Sequence, residues 1–194
     1  IYIQDGSGEG AGTSELLGIR AALSSSTGTS TYMGLPRNTT GWTPNFGSVS
    51  EALSMDRLLE MDGAVQEYAD TEDKFIILVN KSLYQKYGQI LTAMRRTVNE
   101  TNLLGGWKGL EFAAGGSTVG VFRDYDVPDG EVLMINLSTW AITQVSDVDW
   151  MEQPGVGSLL RLQNTIQYQA VMHWFVNVAC MAPAANAKHT RKSK

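Results

Sequence analysis

Over residues 164–181, NTIQYQAVMHWFVNVACM, every even position from Ile166 to Cys180 is apolar: Ile166, Tyr168, Ala170, Met172, Trp174, Val176, Val178 and Cys180. The odd positions open polar, with Thr165, Gln167 and Gln169, and then mix as Val171, His173, Phe175, Asn177 and Ala179. Strict period-two alternation predicts a strand with one buried face. The run is about three times the usual strand length and, at roughly 3.3 Å per residue, spans about 50 Å. A strand that long crosses more than one packing layer or ties two subdomains together. No enzyme motif asks for it; an elongated, slab-like building block does.

The full 194-residue chain sets the context for that strand. It is 43% hydrophobic, 18% charged and 9% aromatic. That balance suits one domain, or one domain with a small appendage, with a core large enough to need no disulfide or metal staple. The single cysteine, Cys180, cannot form an internal disulfide and fits a reducing compartment. A net charge of −5 argues against a dedicated nucleic-acid binder. No apolar run approaches the roughly 20 residues of a membrane span. The chain opens at Ile1, which reads as a processed, trimmed or partial product.

Along the chain, QDGSGEGAG (4–12) is a glycine-rich opening, followed by a short helix capped by Thr13 or Ser14. Residues 38–48 read as loop. Leu58, Met61, Val65 and Tyr68 recur at helical spacing within 48–69, with Ser48 or Ser50 as cap. Lys74–Val79 reads as a buried strand, and Asn80-Lys81-Ser82 as the cap of a helix over 83–95. Strand-like pieces follow at Leu110–Ala114, Thr118–Arg123, Glu131–Asn136 and Trp140–Val145, with a turn at Asp129-Gly130. Helices and a buried strand first, then several strands, predict an α+β fold. The tail KHTRKSK (188–194) reads as basic and disordered.

The chemical motifs point away from catalysis. Gly6, Gly8, Gly10 and Gly12 lack the lysine a phosphate-binding loop requires. His173, His189 and Cys180 have no zinc-ligand spacing, and His173 and Cys180 fall on opposite faces of an extended strand. Asp124, Asp126 and Asp129 flank Pro128 and Gly130 as turn residues. Asp147, Asp149 and Glu152 precede the loop Gln153-Pro154-Gly155. The sequons at Asn38, Asn80, Asn99 and Asn136 read as chance or as caps. Lys188, Arg191, Lys192 and Lys194 suit either weak, nonspecific phosphate contact or a solubilising terminus. These readings assign no catalytic residue, no cofactor-binding residue, no metal ligand and no cofactor.

An ordered series of segments resembles a known family. Asp5-Gly6-Ser7-Gly8 with Leu16-Leu17-Gly18-Ile19 is similar to a "GDGTG…GL" passage. Thr31-Tyr32-Met33-Gly34-Leu35-Pro36-Arg37 with Trp42 is similar to "GGI-R…W". Ile76–Asn80 with Leu83-Tyr84 resembles a strand, an Asn and a Tyr-bearing helix. Val119–Asp124, Val127-Pro128-Asp129-Gly130 and Leu133–Asn136 resemble "G-P-V-V…D…P-A-G…F-L-N". The long strand ending near Ala182-Pro183-Ala184-Ala185 resembles a final strand. Together they resemble the major capsid proteins of tailed bacteriophages, with the Hong Kong 97 fold.

That resemblance implies a glycine-rich opening and first helix (1–25), an axial domain (26–163), a long strand reaching a peripheral domain (164–187) and the basic tail (188–194). It implies a non-enzymatic subunit of a phage head enclosing double-stranded DNA. The subunit would associate with copies of itself around five- and six-fold axes, and with scaffold or decoration proteins. Packaged DNA would be touched only weakly, and no membrane is involved. The location implied is the virion, after synthesis in the bacterial cytoplasm. The family's N-terminal arm, extended loop and spine helix have no counterpart here, which predicts a monomer or small oligomers. Two other readings stay open: an encapsulin-like nanocompartment shell, and a small hydrolase built on Asp147, Asp149 and Glu152.

Overall fold

A computed structural model describes residues 18–24, 31–49, 52–70, 73–93, 100–102, 108–114, 117–152, 157–161 and 166–191. The glycine-rich opening with Thr13 and Ser14, the sequon at Asn99, and Lys192 and Lys194 lie outside the described residues.

The apolar run at 75–79 organises the molecule. Strand β4 (Phe75–Val79) sits inside a seven-stranded mixed sheet. Its alternate side chains bury on both faces: Ile77 and Val79 join one core, Ile76 and Leu78 another. Such a strand needs no polar positions, which is why it reads as a continuous apolar run. Its neighbour β8 (Glu131–Asn136) follows the same rule. Val132 and Met134 face one way, Leu133 and Ile135 the other.

The other sheet members are β3 (Asn45–Val49), β5 (Glu100–Asn102), β6 (Lys108–Ala114), β7 (Ser117–Arg123) and β15 (Ala187–Arg191), in the order β3-β15-β8-β4-β7-β6-β5. The β4–β7 and β15–β3 pairs are parallel and the rest antiparallel.

Two helices cover one face. In α2 (Met55–Gln66) the Ser54 side chain accepts from the Arg57 N–H, and Asp56 in the first turn complements the helix dipole. In α3 (Lys81–Ala93) the Asn80 Oδ1 accepts from the Leu83 N–H at 2.9 Å. Met55, Leu58 and Val65 of α2 meet Leu83, Tyr87 and Leu91 of α3 over Ile77, Val79, Val121 and Met134. The opposite face is covered by α1 (Ile19–Ala22), with Ile19 and Leu23 against Leu78, Phe122 and Leu133.

Three features differ from the sequence expectations. The helix within 48–69 begins only at Met55, capped by Ser54 rather than Ser48 or Ser50, because Asn45–Val49 pairs with β15. Residues 188–191 of the expected disordered tail form a strand between β3 and β8. Their charge misleads because Lys188 finds Glu131 at 3.6 Å, both side chains largely buried.

The third difference is the long strand. Its residues form the returning limb of a two-stranded ribbon, broken into β12 (Tyr168–Gln169), β13 (Met172–His173) and β14 (Val176–Cys180). The outgoing limb comprises β9 (Trp140–Gln144), β10 (Asp149–Trp150) and β11 (Leu160–Arg161). A boundary at 163/164 would put the paired strands of this one ribbon in different domains. The last two strands, β1 (Thr31–Tyr32) and β2 (Leu35–Pro36), make a hairpin beside the ribbon's base. Met33 at φ 52° and Gly34 at φ 79° give it the paired left-handed turn that a two-residue hairpin requires.

Candidate functional site

The ribbon is anchored at its root by one buried asparagine. Asn186 accepts from the Asn136 N–H at 2.8 Å and from the Trp140 indole N–H at 3.0 Å. Its amide donates to Thr139 Oγ1 at 3.0 Å, to the Ala182 carbonyl at 2.9 Å and to Cys180 Sγ at 3.4 Å. The side chain thus binds the end of β8, both limbs of the ribbon and the turn Pro183–Ala185.

A second clamp joins the root to α1. The Cys180 N–H donates to the Tyr32 hydroxyl at 2.8 Å. The Arg37 guanidinium lies 5.0 Å over the Tyr32 ring and donates to the carbonyls of Ala21, Ala22 and Ser24. These are C-terminal carbonyls of a helix, where a cation is favoured.

Beyond the root the ribbon stands uncovered. Register pairs Trp140 with Cys180, Ile142 with Val178, and Trp150 with Met172. Residues directly opposite share a face, so the even-numbered apolar positions do line one side. The Trp174 indole N–H donates to Gln144 Oε1 at 3.3 Å on that same side. Sequence alternation therefore identified the face. It did not identify a cover: Cys180 is fully buried, yet Trp174 is 47% exposed, Met172 60% and Ile166 89%. The expectation that this face is buried within the chain is overturned. A two-stranded ribbon has no second layer of its own.

Each large side chain offers roughly 150–250 Å² when open, so the ribbon's half-exposed Ile, Met, Trp, Tyr and Phe residues leave on the order of 1,000 Å² uncovered. Ordinary monomers expose apolar patches of about 300–600 Å². One partner in a stable protein–protein interface contributes about 800 Å².

The outgoing limb carries the irregularities. From the pair Gln144–Val176 to the pair Asp149–His173 it advances five positions while the returning limb advances three. From Trp150–Met172 to Leu160–Gln169 it advances ten against three. The extra residues within 145–148 form a bulge, which bends and twists a ribbon. Asp147, Asp149 and Glu152 lie in or near it, exposed to solvent. Asp147 accepts from the Gln144 side-chain amide and Asp149 from the Trp150 backbone N–H, so these two acids make local bonds and do not converge.

The other acid cluster is also a turn. Asp124 accepts from the Asp126 N–H, and Asp129 accepts from Asn80 and Ser82 at the start of α3. Gly130 at φ 83° precedes the Glu131 N–H, which donates to the Pro128 carbonyl. Asn80 and Asn136 are buried caps, Asn136 accepting from the Ser138 N–H. His173 packs its ring 5.4 Å from that of Phe175, and Cys180 is buried in the root. Among the described residues no three His, Cys, Asp or Glu side chains gather as a metal site, and no helix is long and apolar enough to cross a membrane.

Sequence reasoning missed Asn186, Arg37 and the Arg20–Glu131–Lys188 cluster. Arg20 meets Glu131 through two hydrogen bonds, of 2.8 and 2.9 Å. Burial raises the Glu131 pKa, but hydrogen bonding by Arg20 and the charges of Lys188 and Arg20 outweigh it and hold the carboxyl below its ordinary range. One signal was available: Asn186 is the single polar residue in the run APAANA, where a buried amide is expected to be bonded.

No protein-family model and no curated protein matches this chain. Among solved structures, the SrpI encapsulin complex of Synechococcus elongatus PCC 7942 matches 79% of the chain at 14% identity with a TM-score of 0.51. A virus-like particle from Pyrococcus furiosus matches 78% at 15% identity and TM-score 0.39, covering 56% of that chain. Mycobacterium phage Patience matches 78% at 11% identity and TM-score 0.49, covering 48% of that chain. The chain spans 54% of the encapsulin subunit's length. With the highest TM-score of the three, the encapsulin alone speaks to the fold, and at this identity to nothing else. The chain therefore has an α+β fold of the capsid type.

Proposed function

We propose that this chain is a structural, non-enzymatic subunit of a self-associating protein shell, and that its ribbon is a contact between subunits. The observation that carries this reading is the uncovered apolar face of residues 142–178 on a chain whose fold matches an encapsulin. In this reading the seven-stranded sheet with its helices is the axial domain and the ribbon belongs to the peripheral domain. A face of this size gains hydrophobic free energy only when a partner covers it. The partner we assign is a second copy of the chain.

Within that reading, a phage head enclosing double-stranded DNA accords with the motif series from Asp5 to Ala185. An encapsulin-like nanocompartment accords with the structural match. Lys188 pairs with Glu131 and so adds little to contact with packaged DNA. Scaffold or decoration proteins would be partners of the assembled shell.

Sedimentation velocity on the protein and on Trp174→Asp and Met172→Asp tests the contact. The wild type is expected to associate with rising concentration. Both variants should stay monomeric with unchanged circular dichroism and thermal midpoint, since each residue is about half exposed in the single chain. A wild type still monomeric at about 100 μM, an association weaker than about −5.5 kcal/mol, would overturn the proposal. So would variants that associate like the wild type. Particles containing DNA that resists nuclease until the shell is disrupted would favour the phage head, and particles enclosing protein the nanocompartment.

A further inference from the structure

The strand β15 is the last of the described strands, lies inside the sheet, and carries one of only two histidines. We propose that β15 is a pH-gated latch: neutral His189 seats it beneath α2, and protonation of that imidazole releases the strand from between β3 and β8.

The geometry is that of a wedge. On one side β15 pairs in parallel with β3, from Ala187–Asn45 to Arg191–Val49. On the other it pairs antiparallel with β8, from Ala187–Met134 to Thr190–Glu131. Its alternate side chains reach opposite layers. Ala187 enters the core shared with Met55 and Leu58 of α2, and His189, two residues on, is 7% exposed. Lys188 turns to the other layer, where Glu131 already holds Arg20.

The charges facing His189 come from α2. Arg57 disfavours an imidazolium and Glu60 favours it, while Asp62 lies on the same helix with Gln66 bonded to one oxygen. The β3 segment NFGSV and the turn PAA bring no titratable group, and Glu131 on β8 is engaged on the opposite layer. Burial is the main force lowering the His189 pKa from its ordinary value, Arg57 adds to it, and Glu60 opposes.

The sign follows from linkage. With its pKa lowered in the seated strand, His189 is neutral in both states above about pH 6.5 and the latch is complete. Below that, the released strand binds a proton that the seated strand does not. Each further pH unit then favours release about tenfold, until the seated pKa is reached. Release frees one edge of β3 and one of β8, and open edges pair with other chains. Asp62 acts in the opposite sense: burial raises its pKa, so acid relieves a buried carboxylate.

Amide hydrogen exchange on the full chain at pH 7.5 and 5.5, corrected for intrinsic rates, tests the latch. Opening of segment 187–191 should increase relative to β4 between the two conditions, by at most about tenfold. His189→Gln should abolish that increase, while His173→Gln and Asp62→Asn should retain it. Equal protection of 187–191 at both pH values, or an undiminished pH response in His189→Gln, would overturn the proposal. Should His189→Gln fail to fold, NMR titration of the wild-type imidazoles decides: His189 titrating at or above its ordinary value overturns the latch, and titrating below supports it.

Discussion

Asn186→Ala removes the side chain on which the ribbon's two limbs meet the sheet. The buried Asn136 N–H and the half-buried Trp140 indole N–H lose their acceptor. The groups that received its amide protons lose less. The Thr139 hydroxyl still donates to the Asn136 carbonyl, and the Ala182 carbonyl still accepts from the Ala185 N–H. Leaving a buried donor unpaired costs about 1–3 kcal/mol, so the loss should be about 4 kcal/mol for the pair. That is a large share of the roughly 5–15 kcal/mol that holds a domain folded. Urea unfolding followed by tryptophan fluorescence reads it directly, because Trp140 and Trp42 both lie at the root. With a urea m-value of about 2 kcal/mol/M, the midpoint should fall by about 2 M. Trp140→Phe removes one of the stranded donors, so the double variant should lose at least about 1 kcal/mol less than the sum of the single losses. A midpoint shift below about 0.5 M for Asn186→Ala, or strict additivity, would refute the account of Asn186 as the hinge pin.

Glu131→Gln should cost about 3 kcal/mol, since it removes the carboxylate that both Arg20 and Lys188 engage in a largely buried place. Because the Glu131 pKa is lowered in the fold, its contribution is complete above its ordinary value and is lost as pH falls through the folded one. The wild type should therefore lose stability relative to Glu131→Gln in acid-range thermal melts. Asp147→Asn, Asp149→Asn and Glu152→Gln together should leave the thermal midpoint within about 2 °C, as surface changes do. Elemental analysis showing one divalent ion per chain would return these acids to a chemical role.

The sheet was legible wherever local pattern and tertiary burial agree. Phe75–Val79, Glu131–Asn136 and the α3 cap at Asn80 were readable because an apolar run and a capping amide carry their own signal. The strand at Asn45–Val49 was not, since NFGSV has little strand pattern and is held by its pairing with β15. The same long-range pairing hid β15, whose Lys, His and Arg look solvated until Glu131 is placed beside Lys188. In the ribbon, alternation stated which residues share a face, and it could not state what covers them. Residues 145–148 break the register on one limb, which no period-two reading of the other limb reveals.

Cys180 turns the ribbon's root into a timepiece. It is the chain's single thiol, fully buried against Thr139 and Asn186. Burial pushes its pKa up to about 11, against smaller opposing effects from Thr139 and Ala182. At neutral pH almost none of it is the reactive thiolate, and no reagent reaches it while the root is closed. A dye that labels thiols therefore counts openings of the hinge. Its rate in free and in assembled subunits measures how tightly neighbours hold the ribbon, with no mutation and no added probe site.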